Sequence, residues 1–67
     1  MGPRFSEEVE EFLRVSGPTT EADLLHHFEK WGADPTTLGE ALAWLVREGR
    51  VRRALDPEER YRWVERR

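Results

Sequence analysis

The sequence predicts an α+β fold in which three helices precede a C-terminal two-stranded β-hairpin. Three observations predict it. Asp34 to Val51, DPTTLGEALAWLVREGRV, reads as one capped amphipathic helix that stops at a glycine and feeds directly into a strand. Only Trp31 to Asp34 separates that helix from the helical segment before it. The last third then alternates arginine with apolar and aromatic residues at the period of a strand, around the turn sequence Asp56-Pro57-Glu58-Glu59.

The first helix is marked by Phe5, Val9, Phe12 and Leu13, which recur at the i, i+4, i+7, i+8 spacing of one helical face. The opposite face is almost wholly acidic, a solvated surface whose carboxylates suit the positive end of the helix dipole. Ser16-Gly17-Pro18 ends it, since Gly17 can take a left-handed conformation and proline cannot continue a helix. Pro18-Thr20 is an extended piece, placed to add a third short strand beside the hairpin. Thr20, with Asp23 three residues on, approximates a capping box and opens a second helix. Leu24, Leu25, Phe28 and Trp31 mark its core face, and Gly32 ends it.

Asp34 is the N-cap of the third helix and Pro35 its first residue, where the missing N–H costs nothing. Leu38, Ala41, Leu42, Leu45 and Val46 form its buried stripe, with Thr36, Glu40, Ala43 and Arg47 opposite and Trp44 on the flank. After Gly49, Val51, Arg53 and Leu55 share one face of the first strand. In the second, Tyr61 and Trp63 share one face, and Arg60 and Arg62 the other. Trp31 and Trp63 read as core or core-edge residues, because a small domain needs the area that buried aromatics supply. Glu65 to Arg67 are expected to fray.

The chain of 67 residues is read as a single domain, 1–67, without internal repeat or linker. It contains no cysteine, which excludes disulfides and thiolate metal sites. The adjacent His26 and His27 cannot face the same way on a helix, so no metal site is expected. No catalytic constellation, glycine-rich phosphate loop or cofactor motif appears; neither enzymatic activity nor a cofactor is expected. Nothing approaches the roughly 20 apolar residues of a membrane span, and Met1-Gly2-Pro3-Arg4 leads into an acidic helix, so a soluble cytoplasmic protein is the expectation.

The net charge of −3 conceals a division. Residues 1–46 carry three basic residues against nine carboxylates, a balance of −6, whereas residues 47–67 carry eight arginines against five carboxylates, a balance of +3. A binding face on one side of a domain produces this kind of asymmetry.

The most specific stretch is Leu45-Val46-Arg47-Glu48-Gly49-Arg50-Val51-Arg52-Arg53, followed by Asp56-Pro57-Glu58-Glu59-Arg60. It resembles the helix exit and acidic-turn wing of winged helix-turn-helix domains in bacterial transcription regulators, and the resemblance runs from about Phe5 to Val64. It implies that the third helix lies in the DNA major groove while the hairpin touches backbone or minor groove. By that resemblance the contacts fall to Thr36, Thr37, Glu40, Ala43 and Arg47 on the helix, and to Arg52, Arg53, Arg60 and Arg62 at the wing; Arg50, one of the arginines that outnumber their local carboxylate partners, is a further candidate. Glu40, Ala43 and Trp44 depart from a typical reading helix, which makes the wing the stronger candidate for nucleic-acid contact.

Double-stranded DNA is therefore the expected partner, in the setting of transcription regulation, with RNA open because it presents the same charged backbone. The alternative is a protein-interaction or dimerisation module that reads no bases, with Trp44 as the partner surface. The competing account of the wing arginines pairs them with Glu48, Asp56, Glu58, Glu59 and Glu65 as surface ion pairs.

Overall fold

The computed structural model describes residues 3–55 and 58–65. Its elements, in order, are α1 (Pro3–Ser16), α2 (Glu21–Phe28), a 3₁₀ turn (Glu29–Trp31), α3 (Pro35–Arg47), β1 (Val51–Ala54) and β2 (Arg60–Trp63). Three helices followed by an antiparallel hairpin form an α+β arrangement consistent with a winged-helix description. No helix is long and apolar enough to cross a membrane.

Phe5, Val9 and Leu13 of α1 bury the expected stripe, with Phe12 packed partly against the same core. Gly17 takes φ +85° and donates its N–H to the Leu13 carbonyl, closing the helix as its sequence indicates. Thr20 caps α2, its hydroxyl accepting from the Asp23 N–H at 3.1 Å, which is one half of a capping box. The piece before it is shorter than a strand. Thr19 alone bridges β2, donating to the Tyr61 carbonyl at 2.9 Å and accepting from its N–H at 2.8 Å. Through this bridge the start of α2 is tied to the hairpin.

The second helix ends at Phe28, earlier than expected, and tightens into the 3₁₀ turn before Gly32 reverses the chain at φ +91°. Ala33 completes the turn as a buried core residue. Trp31 departs from its expected place, for its side chain is 76% exposed. Leu24 and Phe28 join the core with the apolar stripe of α1, but Trp31 stands at the edge of a groove that Glu7, Glu8 and Glu11 of α1 also line.

Asp34 caps α3, accepting from the Thr37 N–H at 2.7 Å with Pro35 in the first turn. Leu38, Ala41, Leu42 and Leu45 are buried as expected, whereas Val46 is exposed. It lies one step around the helix from Leu45, at the margin of the stripe. Gly49 then takes φ +75°, while Arg50 N–H donates back to the Leu45 carbonyl and Gly49 N–H to that of Val46. This left-handed exit is what delivers Val51 into the core as the first residue of β1.

In the hairpin, Val51 stands opposite Trp63, Arg52 opposite Arg62, Arg53 opposite Tyr61 and Ala54 opposite Arg60. Val51 and Tyr61 are buried, and Trp63 is half-buried against the core, as the strand alternation predicts. Leu55 falls beyond the end of β1 and is exposed, so the shared face with Val51 ends within the strand. The expected turn at Asp56-Pro57 and the fraying of Arg66 and Arg67 lie outside the described residues.

Candidate nucleic-acid interface

Alternation along two antiparallel strands sorts the hairpin into two faces. Val51, Arg53, Tyr61 and Trp63 share the inner face, and Arg52, Ala54, Arg60 and Arg62 share the outer one. Arg52 and Arg62 are thus directly opposed and both exposed. Like charges in this relation destabilise a sheet, by up to about 1 kcal/mol. Neither forms an ion pair among the described residues.

The other wing arginines are partnered. Arg60 reaches back to Glu58, its Nε donating at 3.1 Å. Arg53 lies 3.6 Å from the Glu59 carboxylate across the hairpin. Both pairs are exposed, so each contributes on the order of 1 kcal/mol or less and can exchange for another anion.

Arg50 is set apart from these by what surrounds it. Its Nη1 donates to Glu10 Oε1 at 3.0 Å, and Trp63 Nε1 donates to Glu10 Oε2 at 3.1 Å. The guanidinium also lies over the Trp44 ring, 5.9 Å from its centroid, a cation–π distance. One carboxylate of α1 therefore fastens the entry and exit of the hairpin, while Arg50 covers part of the exit of α3. Arg50 is half-buried in this cluster, which makes it a clamp between elements. Long-range tertiary contacts of this kind were not legible from Glu10 alone, because its sequence neighbours place it on a helix surface that reads as uniformly acidic.

The exposed face of α3 carries Thr36, Glu40, Ala43 and Arg47, all open to solvent, and Arg47 forms no ion pair among the described residues. Thr37 is half-buried and its backbone is engaged by Asp34. That hydrogen bond, first among the causes, and the Thr37 side chain hold the Asp34 carboxyl below its ordinary value. Trp44 is 38% exposed, with Arg50 over one ring face. Among the described residues, no group of histidines and carboxylates is arranged to hold a metal ion.

The site predicted from sequence is thus brought together in two parts. Arg52, Arg60 and Arg62 form one outer surface of the hairpin; Thr36, Glu40 and Arg47 form one face of α3. Arg50 is paired with Glu10 of α1 and Arg53 with Glu59 of the hairpin. No protein-family model matches the chain, and comparison with curated proteins and solved structures returns no match.

Proposed function

We propose that this is a nucleic-acid-binding module of winged-helix type, engaging duplex DNA through the outer face of its hairpin and serving in transcription regulation. One observation carries the reading: Arg52 and Arg62 are held directly opposite each other on an exposed face with no carboxylate between them among the described residues. An arrangement that costs the free domain stability is relieved when phosphate oxygens supply the missing negative charge. Arg60 adds to the same face by exchanging Glu58 for phosphate, and Arg47 extends the contact from α3. The acidic Glu40 on α3 opposes close approach to phosphates, so affinity rests on backbone contacts by the wing more than on base reading.

Fluorescence anisotropy with labelled duplex DNA across a salt series tests this. Binding falls with salt, and Arg52→Ala combined with Arg62→Ala shallows the log–log slope by about 0.9 for each phosphate that is no longer neutralised. Absence of binding at low ionic strength overturns it, and preferential competition by duplex RNA reassigns the partner.

A further inference from the structure

An open groove of about 490 Å³ runs between α1 and the end of α2. That size lies within the range of about 300–1,000 Å³ typical of ligand clefts. Its apolar surface is aromatic. Phe12 and Phe28 pack at a centroid distance of 5.7 Å, and the His27 ring lies tilted over Phe12 at 4.3 Å. The exposed Trp31 and the carboxylates of Glu7, Glu8 and Glu11 complete its lining.

Two features of this groove are unexplained by folding. A tryptophan left 76% exposed forfeits most of the hydrophobic stabilisation that its burial would give. Three carboxylates brought to one groove repel one another, and among the described side chains Glu11 pairs with Arg14 on the next turn. That partner holds the Glu11 carboxyl below its ordinary range. Aromatic faces and carboxylates share a preference for cations, the first through their quadrupole and the second through charge.

We infer that the groove between α1 and the α2–3₁₀ junction is a docking site for a cationic amphipathic segment of a partner protein. Its apolar side chains lie on Phe12 and Phe28, and its Lys or Arg side chains lie over Trp31 and pair with Glu7 and Glu8. Charge complementarity selects this occupant: a phosphate backbone or an acidic peptide is repelled by the same carboxylates. Around the α1 axis, Glu8, Glu11 and Glu7 lie about 160°, about 100° and about 60° from Glu10, which faces the hairpin. Among the described residues no hairpin arginine lines the groove, so the inference stands independently of DNA binding. A second copy presenting its basic hairpin would make a head-to-tail contact that uses up those arginines and tends to form open chains.

The test uses the intact chain and a fluorescent synthetic peptide of about twelve residues, with Leu at helical i, i+3, i+4, i+7 spacing and Lys elsewhere. The same peptide with Glu in place of Lys is the control. The Lys peptide binds and the Glu peptide does not. Trp31→Ala and Glu7→Lys each weaken the Lys peptide by about tenfold, while Glu65→Lys, the same charge change elsewhere, alters it less than about twofold. Circular dichroism and melting of each variant confirm that the fold is retained, which the exposure of all three positions favours. Equal binding of both peptides, equal effects of Glu7→Lys and Glu65→Lys, or no effect of Trp31→Ala overturns the assignment. Sedimentation showing self-association that Trp31→Ala abolishes also overturns it, in favour of a second copy.

Discussion

Glu10 accepts a hydrogen bond from Arg50 at 3.0 Å across a sequence separation of forty residues, and its second oxygen accepts from the Trp63 indole at 3.1 Å. A carboxylate on the first helix thus fixes where the hairpin leaves α3 and where it returns. Most of the domain's other ion pairs are local and exposed, whereas this one is shielded, with Glu10 only 18% exposed. Shielding makes a charged hydrogen bond stronger and its loss costlier.

Glu10→Ala should therefore destabilise the domain by about 1–3 kcal/mol in chemical denaturation. Glu10→Gln should cost less, because it keeps an acceptor for Trp63 while removing the charge facing Arg50. The Trp63 indole N–H resonance reports this hydrogen bond directly and should move more in the Ala variant than in the Gln variant. An unchanged resonance in both would show that Glu10 does not hold the hairpin in solution.

Gly49 sets the hairpin's direction from the other side. Its φ of +75° is unfavourable to L-residues, but a Cβ placed there would meet nothing within 4 Å. The cost of Gly49→Ala is then torsional only, about 1–2 kcal/mol. Gly49→Asn should cost less, since asparagine tolerates the left-handed region. Denaturation midpoints of the two variants separate this account from a steric one, in which asparagine, being larger, would be worse than alanine.

The helix signals were legible because they are local. Asp34-Pro35, Gly49 and the apolar spacing of α1 and α3 each act within a few residues, and the structure realises them. Strand alternation likewise placed Tyr61 and Trp63 inward and Arg62 outward. What the sequence did not reveal depends on partners distant along the chain. Trp31 has the right spacing for a core residue, yet its burial depends on what lies beside it in the fold, and it lines an open groove that includes three carboxylates of α1. Arg50 looked like its neighbours Arg52 and Arg53 until Glu10 was brought alongside. The direct opposition of Arg52 and Arg62 needed the register, which the hairpin ladder supplies and composition cannot.

The cap of α3 gives a pH-dependent prediction. The Asp34 carboxyl is held below its ordinary value by the Thr37 N–H, so the folded state binds its proton less readily than the unfolded chain does. A depressed folded-state value means that the contribution is fully present above the ordinary carboxylate range and is lost as the pH falls through the folded-state value. Asp34→Asn retains the capping oxygen but does not titrate. Melting temperatures of the two proteins should therefore differ most near neutral pH and converge in acid, and a difference that is constant with pH would exclude Asp34 as the titrating cap.

The opposition of Arg52 and Arg62 separates stability from function. Arg62→Glu places a carboxylate directly across from Arg52 and converts a repulsive cross-strand pair into an attractive one. Stability should rise by about 0.2–1 kcal/mol, while DNA binding weakens and its salt dependence becomes shallower. A residue retained for folding gives the opposite pattern, since its replacement would lower stability and leave binding to follow the unfolded fraction. Urea denaturation and DNA titration on the same preparation measure both quantities. If stability rises and binding does not change, the outer face of the hairpin does not touch phosphate and the proposed function fails; if stability rises and binding falls, the two arginines are kept at the expense of the fold because of what they hold.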